Sequence, residues 1–495
     1  RMVKDMAEKV NAKSFLKNIV GFSMSTWIGF VISFFTIPII TRIFDPDAMG
    51  KINMFTTVVN LGMTVVLCGL DQTYTRFYYE GIHGRNNRWI FSYCLIVTTI
   101  ITVIGVAVLI PFRKDIAFEV VGEGRSIIFL CLAVSIYTMA ILRLFNLNYR
   151  MRQDCIRFSI QSLLIVVCTK VAYMVCAGWD TTYYSAVLFY TGLTLLLLIA
   201  YWFIQKDARV ASRKELVYDK EALKGMMKFG LPLMPASIIA WLNTSISNLL
   251  IKQKLTFSAL GVYSSAVSIA SLINLIQTGF NMYWTAFVYE NYRREQKKIS
   301  AVHNYITYVM VLFGMGILFF QDLIFLLLGE SYRSSKNFFA FLLIAPICYT
   351  ISESTGMGIT IAKKTQLNII FILGSLIVNI TGCYFLIPGF GSLGAAVASA
   401  LAGLVYLAIR SVLGERYYKC VSSYKRSVLA ILLMLAACFL NMFLSDRQWM
   451  RMGSIALLIL TLTLLYRKEF VRLWKLVLGI LQDIFKQIHF SGDKR

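Results

Sequence analysis

Charge, proline and histidine are all scarce in this sequence. Of its 495 residues, 15% are Asp, Glu, Lys or Arg, 7 are Pro and 3 are His. Soluble domains carry about 25% charged residues. The shortage here, with 58% apolar residues and a mean hydropathy of +0.68, excludes an ordinary soluble enzyme and a disordered chain. No CxxC pair occurs, and the ten Cys fall mostly inside apolar stretches. They read as small hydrophobes, which excludes a secreted disulfide scaffold and leaves no metal ligand set. HExxH, GxSxG and Walker-type runs are also missing. What is present is one apolar run after another, the composition of an all-α polytopic membrane protein. The sequence opens on Arg1 instead of Met, which leaves its true start open.

Acids are scarcer than bases, 25 against 49, for a net charge of +24. In a soluble protein that excess would point to nucleic acid. In a membrane protein the positive-inside bias accounts for it, and no nucleic-acid partner is expected. A hydrocarbon core of about 30 Å needs roughly 20 apolar residues per helix. Windows of that length give fourteen spans, at 18–41, 52–71, 90–112, 127–148, 158–178, 183–204, 230–251, 258–288, 302–328, 338–362, 366–387, 391–411, 426–445 and 449–466. With the N-terminus cytoplasmic, 36 of the 49 basic residues fall on the inside and 11 on the outside, and Arg143 and Lys170 lie within spans. That split predicts both termini in the cytoplasm.

The polar segment near mid-chain divides the spans. The expected organisation is an N-terminal lobe (1–204, helices 1–6), a cytoplasmic linker (205–229), a C-terminal lobe (230–411, helices 7–12), two further helices (412–466) and a cytoplasmic amphipathic tail (467–495). In that tail Phe470, Trp474, Val477, Leu481, Ile484 and Ile488 recur at steps of four and three, the pattern of a helix lying on the inner leaflet. The lobes repeat at an offset of 211. Ala48-Met49-Gly50 opens the second span and Ala259-Leu260-Gly261 the eighth. Six spans plus a linker separate the copies, so both keep one membrane orientation, and a central cleft is expected between them.

Ionisable groups inside spans need a reason, because each costs about 2.5–3.5 kcal/mol at the bilayer centre. Lys170 lies near mid-membrane, where it could face a cavity or sit in a structural pair. Arg143 lies near the inner end of its span, where it could line the cleft or snorkel. Glu353 is a deep acid that could balance a cation, carry a proton or line the cleft. Asp322 lies near the outer surface and reads as solvated. Ser264, Ser268, Ser271, Asn274, Gln277 and Asn281 form one polar stripe on the eighth span, and Asn243, Thr244, Ser245, Ser247 and Asn248 a second on the seventh. These stripes could line a hydrated cleft or glue helices together. Cations with many amides and hydroxyls suit an anionic, sugar-rich substrate. The substrate-binding set so read is Lys170, Arg143, Asn243, Asn248, Gln277 and Asn281.

FLKNIVGFSMSTWIGFVISFFTIPIITRIFDPDAMGKINMF (15–55), GLDQTYTRFYYE (69–80), RMRQDCIRFSIQS (150–162), FGLPLMPASIIAWL (229–242) and IPGFGSLGAAVASALAG (387–403) resemble polysaccharide-biosynthesis membrane proteins, the Wzx-type oligosaccharide flippases. Their superfamily includes the MATE drug exporters and lipid II flippases. The resemblance implies two six-helix lobes with two extra helices, and alternating access. It implies an undecaprenyl-diphosphate-linked oligosaccharide carried from the inner to the outer leaflet of a bacterial cytoplasmic membrane. It further implies a monomer among membrane lipids, working beside polysaccharide polymerase machinery. No cofactor is expected, and a sodium or proton gradient is the expected energy source. By resemblance Asp71 and Arg76 form a clamp or an intracellular gate, with Glu353 a third gating or coupling candidate. The chain departs from the family pattern late in the seventh span, where relatives carry an Asp-Arg pair and this sequence reads Ser247-Asn248-Leu249. Any role of that acid cannot pass to Asn248. The alternatives are a MATE-like ion-coupled exporter, which would want an acidic pocket, and a membrane glycosyltransferase or polymerase, which would want long exterior loops. No catalytic residues are expected.

Overall fold

The computed structural model describes residues 24, 26–208, 218–445, 447–475 and 478. Among the described residues the regular structure is helical, joined by turns and short loops, with one isolated bridge between Ile82 and Arg85. The first half runs α1 (Thr26–Ile43), α2 (Pro46–Leu67), α3 (Leu70–Phe77), α4 (Asn87–Leu109), α5 (Arg113–Val121), α6 (Ser126–Met151), α7 (Cys155–Cys176) and α8 (Tyr183–Ile204). The second half runs α9 (Lys220–Gly230), α10 (Leu233–Lys254), α11 (Phe257–Ala270), α12 (Asn274–Asn291), α13 (Gln296–Phe319), α14 (Gln321–Leu327), α15 (Lys336–Leu342), α16 (Ile344–Thr355), α17 (Met357–Ile361), α18 (Asn368–Glu415), α19 (Tyr424–Phe443) and α20 (Gln448–Leu465).

Among the described residues thirteen helical stretches are long and apolar enough to cross a membrane. The longest, α18, is a hairpin of two spans. Gly391 breaks it at φ 58°, ψ −136°, a conformation that residues with a Cβ avoid. Beyond the break the arms run back alongside each other: Ser375 Oγ donates to the Ala402 carbonyl at 3.1 Å, and Gly382 leaves room for Ala398. Counted by arms the spans number fourteen, as the hydropathy predicts. Phe203, Phe385 and Leu464 are among the large apolar side chains left exposed, and only lipid would keep them from water.

Local signals set the helix starts. Asp45 accepts from the Ala48 N–H at 2.8 Å and Pro46 occupies the first turn, so α2 begins six residues before the hydropathy window. Thr256, 211 residues on, caps α11 in the same way. Two long windows are interrupted. The 258–288 segment tightens into a 3-10 turn at Ser271–Ile273, and the 338–362 segment divides into α15, α16 and α17. The segment 205–229 is more than a solvated connector. Residues 209–217 lie outside the described residues, but Asp219 caps α9, which packs on α3. Arg85 holds Asp219 at 2.9 Å, and the Ala222 N–H with Arg85 keeps that carboxyl below the usual range. The tail is helical over 467–475, while Val477, Leu481, Ile484 and Ile488 lie outside the described residues.

Candidate functional site

At one end of the bundle α2 and α11 pack directly on each other, and small residues permit it. A Cβ on Gly50 would lie 1.8 Å from the Phe257 carbonyl oxygen, and one on Gly261 would lie 2.0 Å from that of Pro46. One turn on, Asn53 Nδ2 donates to Ser264 Oγ at 2.6 Å. Gly50 and Gly261 are 211 residues apart, as are Asn53 and Ser264, so the repeat read in the sequence is the contact itself. Flanking contacts complete a seal. Lys252 pairs with Glu119, and the Tyr332 hydroxyl donates to the Phe44 carbonyl at 2.8 Å. The Gly329 N–H donates to Thr41 Oγ1 at 3.3 Å. Lys51 lies 3.6 Å from Glu123, whose carboxyl the neighbouring Tyr183, Arg125 and Lys51 hold below its usual range.

Behind this seal, within the second half of the chain, lies a cavity of about 380 Å³. Asn243, Thr244, Ser247 and Asn248 of α10 line it, with Tyr263 of α11, Ser271, Asn274, Gln277, Tyr349 of α16, and Asn379 and Ser399 from the two arms of α18. No charged residue lines it. Ser247 Oγ is the hub, 3.1 Å from Ser399 Oγ and 3.4 Å from Asn379 Oδ1, and the Tyr263 hydroxyl lies 3.3 Å from Ser399. Asn243 Oδ1 is buried with no hydrogen-bond partner, as is Asn281 Oδ1, although Asn281 is not among the lining residues. Unpaired acceptors of this kind favour a ligand or water that can donate.

The stripe on the eighth span therefore does two jobs. Ser264, Ser268 and Ser271 return their hydroxyls to carbonyls of their own helix, and Ser264 also takes the Asn53 amide. Of the three, Ser264 joins the helices and Ser271 reaches the edge of the cavity. Past the 3-10 turn, Asn274 and Gln277 face the cavity.

The charged candidates are not brought together. Glu353 is held by Arg410 through two bonds of 2.8 and 2.7 Å. Arg410 also reaches Ser352 Oγ at 3.2 Å and lies over the rings of Phe371 and Tyr406. Glu353 thus carries no free charge and is no partner for Lys170. Arg410 lies at the end of the 391–411 span and is not among the residues the sequence singles out, because nothing local ties it to Glu353. Asp71 pairs with Arg143 at 3.4 Å, whereas Arg76 pairs with Glu80 at 2.5 Å, so Asp71 and Arg76 do not clamp each other. The Arg143 side chain remains 48% exposed despite that contact. Asp322, read as solvated, is gripped by Lys336 and by the fully buried Arg451. Lys170 is half-buried on α7, one turn past Val166, which Gly29 of α1 lets approach. Among the described residues no carboxylate lies within ion-pair distance of Lys170, and no contact joins it to Arg143, Glu353 or the cavity. Among the described residues no cluster of three or more metal-ligating side chains occurs either.

Solved structures share this fold at low identity. A lipid II flippase MurJ in an inward closed conformation superposes with a TM-score of 0.70 at 13% identity, covering 91% of this chain and 99% of that one. An inward-facing multidrug resistance MATE transporter of the MOP superfamily gives 0.58 at 16%, covering 82% and 97%. A MATE in complex with MaD5 gives 0.52 at 17%, covering 81% and 95%. No curated protein matches the sequence. A family model described as polysaccharide biosynthesis protein matches residues 39–337, well over half of the chain. Two lobes sealed by α2 and α11, a neutral polar cavity and this match agree: the chain belongs to the polysaccharide biosynthesis protein family of membrane proteins.

Proposed function

We propose that the protein is a flippase that moves an undecaprenyl-diphosphate-linked oligosaccharide from the cytoplasmic to the outer leaflet by alternating access. The observation that carries this reading is the cavity bounded by Ser247, Asn379 and Ser399. It offers amides and hydroxyls but no charge, in a member of a polysaccharide family. Sugar hydroxyls both donate and accept, and such a lining can replace their water without the desolvation cost of an ionised group. In this scheme Asn243, Asn248, Gln277 and Asn281 hold sugar. Lys170 supplies the positive charge that a diphosphate needs on losing water, and Arg143 aids loading. Asp71, Arg76 and Glu353 serve gating or coupling, Glu353 through its pair with Arg410. The seal around Gly50 and Gly261 closes the outer end, with both chain ends cytoplasmic in a bacterial inner membrane. A sodium or proton gradient drives the cycle, and the protein works as a monomer beside polymerase machinery.

A drug-cation exporter is less well supported, because its pocket would need an acid, and the one deep acid, Glu353, is already neutralised by Arg410. Reconstitution into vesicles with candidate lipid-linked glycans, with and without an ion gradient, tests the proposal. Glycan should become accessible on the far side only when the protein is present. Export of organic cations with no movement of glycan would overturn it.

A further inference from the structure

At the end of the bundle opposite the α2–α11 seal, a second pocket of about 430 Å³ lies between the start of α13, the 416–423 loop and the tail helix. Lys297, Lys419, Lys468 and Arg472 line it, with a single acid, Glu469. That acid is already occupied. Arg426 holds it at 3.1 and 3.4 Å, and its side chain is only 10% exposed. Among the described residues the four lining cations have no ion pair, although Arg472 hydrogen-bonds with Tyr305. The frame is built. Gln296 Nε2 donates to the Lys419 carbonyl at 3.0 Å, and Asn304 Nδ2 donates to Ser422 Oγ at 3.1 Å, tying the loop to α13.

Next to these cations the tail helix exposes Phe470, Val471 and Trp474, and the Phe470 and Trp474 rings stack 6.2 Å apart. A helix with cations beside exposed aromatic and aliphatic side chains lies at the boundary between headgroups and acyl chains. We propose that this pocket binds the phosphate of an anionic phospholipid from the adjoining leaflet. The acyl chains would run along Phe470 and Trp474, and the bound lipid would fasten the tail helix to α13. No residue of the pocket lines the amide cavity, so the proposal stands whether or not the cavity carries sugar.

The test uses the full chain in nanodiscs of phosphatidylcholine with or without phosphatidylglycerol, reading lipid retained after detergent extraction by native mass spectrometry. Retention of phosphatidylglycerol should exceed that of phosphatidylcholine. Lys419→Gln with Lys468→Gln should cut that retention about thirtyfold, the effect of two surface cations on an anionic lipid. Lys220→Gln with Lys224→Gln, a cationic pair on α9 outside the pocket, should leave it unchanged. Thermal melting in phosphatidylcholine alone verifies that both double variants stay folded. Equal losses from both pairs would show a diffuse surface field and overturn the site. Inorganic phosphate or diphosphate displacing the lipid at equal concentration would assign the pocket to a soluble anion instead, and would also overturn the lipid proposal.

Discussion

Where the two lobes touch they match, and where they are polar they differ. Gly50 answers Gly261, Asn53 answers Ser264, and the cap Asp45 answers Thr256, each at the same offset of 211. Away from that contact the first half carries Lys170, without an ion pair among the described residues, and a half-exposed Arg143. The second half encloses an uncharged cavity and ties its deep acid to Arg410. Repetition fixes the close contact between halves, because both sides of a symmetric contact must stay small together. Divergence leaves the polar positions of the two halves chemically unlike, cations in one and a neutral amide-lined cavity in the other.

The strongest way to break the matched part is Gly50→Leu or Gly261→Leu. Overpacking a core costs about 1–3 kcal/mol where side chains can yield, and here the obstacle is backbone at 1.8 and 2.0 Å. Export should be lost. In either variant a Ser264→Cys reporter should become reactive to an impermeant thiol reagent added from outside. Gly105→Leu, at a position where a Cβ would meet nothing within 4 Å, should leave both readouts unchanged. The second effect in size concerns the locked charge. Arg410→Ala strands Glu353 and should lower stability by about 2–3 kcal/mol, the low side of the buried-pair range because both side chains keep some exposure. Adding Glu353→Gln should recover most of that loss in thermal melting. If it does not, Arg410 matters for its stacking on Phe371 and Tyr406.

Smaller changes sharpen the polar contrast. Ser247→Ala removes the hub between Asn379 and Ser399 and should cost about 1 kcal/mol in stability. It should weaken glycan transport more than that of a lipid diphosphate bearing a single sugar. Equal losses on both substrates would remove the cavity from sugar handling. Smallest is Arg143→Ala, whose 3.4 Å exposed contact with Asp71 is worth about 0–1 kcal/mol. Uptake from the cytoplasmic leaflet should slow about threefold or less, with no change in melting.

The fold was largely legible because its signals are local. Span length depends on runs of apolar residues, and the repeat shows as the same polar turn and small-residue pattern 211 positions apart. Even the hairpin in α18 is announced by the IPGFGSLG run around Gly391. Partnerships were not legible. Arg410 stands at the end of its span with nothing in the sequence to tie it to Glu353, 57 residues earlier, until the hairpin sets the two together. Asp71 and Arg76 are near in sequence, yet each has a closer partner on another turn or another helix. The stripe from Ser264 to Asn281 has one periodicity but two environments, because the 3-10 turn at Ser271–Ile273 changes which neighbours its members meet. Hydrophobic period reports a face, and packing decides what that face meets.

In the proposed cycle the halves divide the ligand, with fixed positive charge in the first and neutral hydrogen bonding in the second. Lys170 tests that division most directly, since no carboxylate pairs with it among the described residues. Lys170→Ala and Lys170→Arg should be compared for glycan export at equal protein abundance in membranes. A divided ligand predicts that Lys170→Ala abolishes export with the protein still folded and inserted, and that Lys170→Arg retains part of it because charge matters more than shape. Normal export by a well-expressed Lys170→Ala variant would contradict the division.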